Sequence, residues 1–516
     1  MSARHRSASR VAAVAAFLAV AIACAVAFAR PGGGDSYGGG GGGGGGGGSS
    51  GGGGGGAGIE LLFVVIQIAF EYPVIGVPLL ILLLIVGIWA MVAKSRAPTG
   101  WTAGADDDYA GRSVVAAARV QERREGPSGA KQLEALRTFD PNYSQVLFED
   151  FLYALYAEVH RARGAGELEA LSAYVTPQAA ASLLQPLGMT AVTGVVIGSM
   201  SIRSASGITP QSPGATVTVA FESNYVEVVN GAENTYWAEE TWTLFRKLDT
   251  PSRTPQRART IACPKCGAPL TSSTLRGGTC SYCQTHVGTG EFDWLVKEVR
   301  VDGRRPRAPQ LTAEVAEIGT DWPTVVDPDA KERFAALCQR DPAFGWPAFE
   351  ARVKQIHHEL NEGWGALDWM RVRPYVTDNL FQQQVFWIDA YRKQKLRNRL
   401  DGARVLAVEA ARVTSDAFYD AITVRVHATG LDYVVREGGG IVRGSDTEER
   451  RYTEYWTLIR GVASKGPSRT DPACPRCGAP LKINQFGACE YCQAKVTTGD
   501  FDWVLSRIEQ DEAYSG

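Results

Sequence analysis

Eight of the ten cysteines stand in four Cys-x-x-Cys pairs. The first two pairs are Cys263/Cys266 and Cys280/Cys283; the second two are Cys474/Cys477 and Cys489/Cys492. The gaps between paired motifs are 13 and 11 residues. Each Cys-x-x-Cys offers two thiolates to one side of a metal ion, and two such pairs complete a tetrahedron, the geometry of zinc. Gly267 and Gly478 follow the second cysteine of each leading pair, where a positive φ folds the backbone round the metal. A redox dithiol is the competing chemistry, but it needs one reactive pair at a helix start, not two pairs occurring twice. The expectation is two Zn2+ ions, each closed by four sulfurs and therefore structural rather than catalytic. His286 lies three residues after Cys283, but its counterpart in the second set is Lys495, so it is read as a surface residue. Cys338 stands alone and is read as a small buried side chain.

These cysteines must be positioned by the elements around them, and those elements repeat. Asp140-Pro141 recurs as Asp341-Pro342, 201 residues later. The same offset pairs Phe148, Leu152, Leu155 and Val159 with Phe349, Val353, Ile356 and Leu360, the seam of an amphipathic helix. It still holds at Tyr174-Val175-Thr176 and Tyr375-Val376-Thr377. Alternation then predicts strands of an antiparallel sheet, half-buried in each half. One carries Val217, Val219 and Phe221, and its counterpart carries Ile422, Val424 and Val426. A third strand carries Glu240-Thr-Trp-Thr-Leu-Phe-Arg246 and Glu454-Tyr-Trp-Thr-Leu-Ile-Arg460. A last strand carries Phe292-Asp293-Trp294 and Phe501-Asp502-Trp503. Each half is α+β, with its cysteine ribbon inserted between the third and last strands.

The amino end reads differently. Arg4, His5, Arg6 and Arg10 precede an apolar run and the small-residue box Ala27-Phe28-Ala29, the pattern of a cleaved signal peptide, with an uncleaved first membrane helix as the alternative. Of the 58 glycines, 21 lie between Gly32 and Gly58 and form a flexible tether with no core of its own. Residues 74–93 carry no charge over 20 positions, enough to cross a bilayer. Lys94 and Arg96 follow at once, which places the remainder in the cytoplasm, where thiols stay reduced. The resulting organisation is a leader over 1–29, tether over 30–58, membrane segment over 59–93, and connector over 94–138 with one helix near 110–124. A first domain follows over 139–300 (ribbon 261–290), then a linker over 301–340 and a second domain over 341–511 (ribbon 472–499).

Asp140-Pro141-Asn142-Tyr143-Ser144 before an amphipathic helix, Tyr-Val-Thr after a second helix, and then a Trp-x-Leu-x-Arg strand resemble the bacterial relatives of subunit 44 of the mitochondrial inner-membrane translocase. The resemblance covers most of residues 1–300 and extends more weakly over 341–510, where Gly345 replaces the Ser. It implies a cone-shaped fold like nuclear transport factor 2, helices on a curved antiparallel sheet around an apolar pocket. It also implies contact with membrane lipid, as the mitochondrial member tethers an import motor to the membrane and touches anionic lipid. This sequence departs in having two such domains and a ribbon in each.

A net charge of −2 provides no global field for nucleic acid, and no nucleic acid is expected. Arg253, Arg257 and Arg259, and Arg304, Arg305 and Arg307, read as solvated loops, equally suited to lipid head groups. No nucleophile, acid and base recur at matching places, so the expectation is a non-enzymatic adaptor with an unidentified protein partner. The alternative is a ligand-binding or isomerase-like domain. Tyr225, Glu222 and Asp432 are its conceivable groups, read here as surface residues. Glu149 and Glu350 share a helix position near the amino end, where the dipole favours a carboxylate. Trp242/Trp456 and Trp294/Trp503 read as core.

Overall fold

A computed structural model describes residues 129–306 and 319–516, apart from 512 and 515. The expected leader, tether and membrane segment lie outside the described residues, as do the connector up to 128, its helix near 110–124, and Arg307. Among the described residues no helix is long and apolar enough to cross a membrane.

The first half runs α1 (Gly129–Leu133), α2 (Gln145–Ala165), α3 (Pro177–Ala181), β1 (Met189–Ser206), β2 (Ala215–Val229), β3 (Ala232–Arg246), β4 (Leu275–Arg276), β5 (Thr279–Cys280) and β6 (Leu295–Pro306). The second half runs α4 (Ala330–Arg340), α5 (Trp346–Ala366), α6 (Asp378–Gln394), β7 (Leu396–Ser415), β8 (Tyr419–Arg436), β9 (Ile441–Gly461) and β10 (Val504–Gln510). Both sheets are antiparallel with the same order, β1-β2-β3-β6 and β7-β8-β9-β10. The small pair β4/β5 lies within the first ribbon.

Helices α2 and α5 begin 201 residues apart and end 201 residues apart. Ser144 caps α2 by accepting the Leu147 N–H at 3.4 Å; Gly345 caps α5 without a side chain, and Pro347 helps set its first turn. Phe148, Leu152, Leu155 and Val159 are buried against Val217, Val219 and Phe221, and the equivalent residues of α5 join Ile422, Val424 and Val426. The repeated Tyr-Val-Thr acquires a physical role. Val175 bridges Val296 and Val376 bridges Leu505 in parallel, so the tripeptide adds a short edge beside the last strand. Thr176 then caps α3 by accepting the Ala179 N–H.

Three expectations need correction. Phe292-Asp293-Trp294 and Phe501-Asp502-Trp503 are not in the last strands, which begin at Leu295 and Val504. They form the turn before it, where Asp293 and Asp502 accept the N–H of the following Trp at 2.8 and 2.7 Å. Strand β8 is buried on both faces: Thr423 and Arg425 are as enclosed as the core residues they alternate with. Alternation in polarity therefore did not mark a solvated face there. Finally, the linker is not featureless. Strand β6 runs on to Pro306, and α4 lies along β7 with Leu337 fully buried in the second core.

The halves are joined extensively. Leu147 and Ala258 of the first half pack with Tyr419, Ala421, Ile459 and Val504 of the second. Around that patch Lys131 pairs with Asp327, and Glu134 with Arg412 and Arg333. Glu149 pairs with Arg507, and Asn379 bonds Asp150. In return, Val196 and Trp237 of the first sheet belong to the second core, and Gln383 of α6 donates to the Gly198 carbonyl at 2.9 Å.

Candidate metal centres

Each ribbon is built from two tight turns. In all four, the residue after the second cysteine donates its N–H to the carbonyl of the first: Gly267 to Cys263, Gln284 to Cys280, Gly478 to Cys474 and Gln493 to Cys489, at 2.8–2.9 Å. The first cysteine of each turn also donates its N–H two residues further along, to Ala268, Thr285, Ala479 or Ala494. This geometry requires a positive φ, and Gly267 (+78°) and Gly478 (+73°) supply it without strain. In the second turns the same place is taken by Gln284 (+55°) and Gln493 (+59°), which the sequence reading missed. The signal was present as Cys-Gln at matching positions.

The four sulfurs of each set lie within 4.8 Å of one another. Cys263–Cys283 and Cys266–Cys280 are both 3.9 Å apart, and Cys474–Cys492 is 3.8 Å. Four sulfurs around one ion at a zinc–sulfur distance of about 2.3 Å would be roughly 3.8 Å apart. A disulfide would need about 2.05 Å. One cysteine pair of each set, Cys263/Cys280 and Cys474/Cys489, is buried, while Cys266 and Cys477 are exposed. Burial pushes the Cys263 thiol up to about 12. Desolvation also acts against the Cys283 thiolate, but hydrogen bonding from Thr285 and the neighbouring sulfurs draws it down to about 6. Each group could hold a metal ion. His286 is exposed, with its Nδ1 3.5 Å from Thr279 Oγ1, and stands outside the sulfur cluster; Lys495 pairs with Asp378 at 2.6 Å. Cys338 is half-buried on α4, away from both clusters.

The repeated motifs outside the ribbons converge on a second feature. Arg246 pairs with Asp140 at 2.9 Å, and Arg460 with Asp341 at 2.7 Å, all four buried. Each guanidinium also sits over the tryptophan of the Phe-Asp-Trp turn, Trp294 at 5.2 Å and Trp503 at 4.7 Å. The Asp-Pro before the helix, the Arg at the end of the third strand and the Trp just before the last one are thus one latch, made twice. Residues 330–468 match the Tim44-like domain family. The Tim44-like match spans α4 to β9 and stops just before the second ribbon. It falls on the second half, although the Asp-Pro-x-Tyr-Ser segment pointed first to the other. That half has the 17-residue helix α6 where the first has only the five-residue α3. No curated protein matches the chain.

The residues considered for a pocket chemistry lie elsewhere than expected. Tyr225 and Asp432 are buried, not on the surface. Tyr225 stacks on His160 with Arg163 at 4.9 Å, and Asp432 accepts from Asn398 at 2.8 Å and Arg450 at 3.3 Å. Glu222 is half-buried and accepts the Trp237 indole N–H. Arg253 is no solvated loop residue. It clamps Asp293 at 2.6 Å and donates to the carbonyls of Arg257 and Thr260, holding the lead-in to the first ribbon. Arg304 pairs with buried Glu227, and Arg305 covers Trp237. Glu350 pairs with Lys354 on its own helix. The four tryptophans of the repeat are core.

Proposed function

We propose that this protein is a membrane-anchored, non-enzymatic adaptor that presents two binding domains of the nuclear-transport-factor-2 type on the cytoplasmic side of a bacterial inner membrane. The observation that carries the reading is the Tim44-like match over 330–468, together with the Asp–Arg–Trp latch that both halves share. Tim44-like domains associate with membranes, and residues 74–93 form an uncharged stretch long enough to act as the anchor. The metal at each ribbon is zinc, chosen by four thiolates at tetrahedral spacing, and its role is structural because four sulfurs leave no open position. Membrane lipid and a protein are the partners. The enclosure of Tyr225 and Asp432 in bonded networks weighs against an isomerase-like pocket built on them.

The test is crosslinked purification of the tagged protein from native membranes, read by mass spectrometry for proteins and small molecules together. A reproducible stoichiometric protein partner is expected. A stoichiometric metabolite with no protein partner would overturn the adaptor reading in favour of a ligand-binding domain. Metal content of the purified chain is expected at two zinc per chain, and a fully stable preparation that holds iron instead, or no metal, would overturn the zinc assignment.

A further inference from the structure

The shared strand order lets the outer faces of the two sheets be compared position by position. On β8, Arg425 leaves the outer face and is buried. Its guanidinium donates to the carbonyls of Gly319 (2.7 Å), Thr320 (3.4 Å) and Trp322 and to Thr453 Oγ1 (3.1 Å), and pairs with Asp511 at 2.7 Å. Residues 319–327 are held across the sheet by these bonds. Val325 N–H donates to the Tyr455 hydroxyl and Asp327 N–H to the Ala411 carbonyl, both at 2.8 Å.

The first sheet has the same frame without the arginine. Val219 faces Trp242 as Val424 faces Trp456, so Ala220 occupies the place of Arg425. By the same register Glu239 stands where Thr453 does, and Asp302 where Asp511 does. One acceptor is kept, Asp302 for Asp511, a second carboxylate, Glu239, replaces the Thr453 hydroxyl, and the β2 position carries Ala220 in place of the arginine. What remains is a groove of about 500 Å³ on that face, lined among the described residues by the first sheet. Its charged lining on that face is three carboxylates, Glu222, Glu239 and Asp302, with Arg203 and Arg300, while Glu240 turns to the core and pairs with His160. Asp302 accepts from Arg300 at 2.5 Å and from the Thr241 hydroxyl at 2.6 Å, and that arginine side chain is 66 % exposed.

We infer that this groove receives an extended segment of a partner polypeptide, whose arginine or lysine side chain lies over Ala220 between Glu239 and Asp302. The second half shows in cis what the first half would complete in trans: an irregular segment laid across the outer face and fixed by one cation among the same positions. A half-enclosed cation bonded to carboxylates is among the stronger polar contacts available to a docked peptide. The inference rests on the adaptor reading only in taking the occupant to be another protein.

The experiment is display of random dodecapeptides on the full-length chain in nanodiscs, with counter-selection on the Ala220→Arg variant, which supplies the missing guanidinium in cis. Peptides retained by the parent protein and lost on Ala220→Arg should carry one arginine or lysine at a fixed place. The affinity of the best such peptide, read by fluorescence anisotropy, should fall about tenfold on Glu239→Gln, the loss of one charged hydrogen bond. Near-ultraviolet circular dichroism of each variant establishes that the fold is kept, and Glu239→Gln carries the test if Ala220→Arg does not fold. Peptides that bind both proteins equally, or lack a cation, would overturn the inference. So would a photo-crosslinker at Thr218 that joins the chain's own residues 94–128, since the groove would then be filled in cis. A crosslinked partner from native membranes with an empty groove would leave the adaptor reading standing and refute only this site.

Discussion

The two ribbons have the same two turns and the same sulfur spacing, yet they are attached to their domains by different physics. In the first half, Cys263, Leu275, Cys280 and Val287 belong to the same buried cluster as Phe151, Tyr174 and Trp294. Tyr174 donates its hydroxyl to the Ala262 carbonyl at 2.5 Å, and Arg253 lies against the Phe151 ring. In the second half, Cys474, Cys489 and Val496 form a small cluster of their own with Leu481, Ile483 and Phe501. Their links to the body are polar: Arg373 donates to the Gln485 carbonyl at 3.0 Å, and Asp378 joins Arg373 to Lys495. A metal at the first site would thus close a loop that is part of a domain core, and one at the second would close a loop that is merely fastened to one. Metal binding is folding free energy for whatever the metal alone holds together. Breaking each site in turn should therefore separate the two. Cys280→Ser should lower the unfolding temperature and open α2 and β3 to hydrogen exchange. Cys489→Ser should open residues 472–499 while leaving the rest protected. This is the largest expected difference, several kcal/mol of global stability against a local effect. Equal loss of protection across both halves would erase the distinction.

The latches invite the opposite expectation. Asp140 is bonded by Arg246 and Ser252, and Asp341 by Arg460 and the Gly466 N–H. Each aspartate is buried and would be stranded by removal of its arginine. Arg246→Ala and Arg460→Ala should each cost about 3–5 kcal/mol in urea unfolding. A large inequality would mean that the repeated motif does different work in the two halves.

What was legible in the sequence follows from how local the cause is. Knuckle cysteines and their glycines are fixed within a few residues, so both candidate sites could be read. The helices were legible because one apolar seam, repeated at a constant offset, is enough to mark them. The latch was visible only as three separate motifs, because the partners Asp140 and Arg246 are 106 residues apart and no spacing rule joins them. Strand β8 misled for a related reason: Arg425 and Thr423 look solvated in sequence, and only the distant segment 319–327 and Asp511 enclose Arg425. Tyr225 and Asp432 failed the same way, their enclosure being tertiary.

The junction between halves adds a smaller, pH-dependent contrast. Burial, helped by the nearby carboxylates of Asp378 and Glu149, raises Asp150 to about 6, against the lowering effects of Arg259 and Asn379. Asp378, by contrast, is held below its ordinary value: burial raises it, but Lys495 and Arg373 outweigh that. An acid whose folded value is raised is destabilising when ionised, so Asp150 should weaken the folded state above pH 6 and cease to do so as pH falls toward 4. Asp378 contributes stability above pH 4 and loses it only below. Between pH 7 and pH 5 the protein should therefore gain about 1 kcal/mol, limited by the 28 % of the Asp150 side chain still in water. Urea midpoints at the two pH values measure the gain, and Asp150→Asn should abolish it while Asp378→Asn should not.

The smallest effect concerns the outer surfaces of the ribbons, where the two halves agree again. Tyr282 and Tyr491 occupy the same place, just before the last cysteine, and are 65 % and 55 % exposed. Since each side chain lies mainly in water, little burial is lost on truncation. Tyr282→Ser and Tyr491→Ser should shift stability by less than about 0.5 kcal/mol in thermal unfolding, and by the same amount in both ribbons. A larger loss at Tyr282 alone would mean that the fusion of the first ribbon with its domain extends to the ribbon's outer side. The contrast between a fused and a fastened ribbon would then be sharper than the buried cysteines alone indicate.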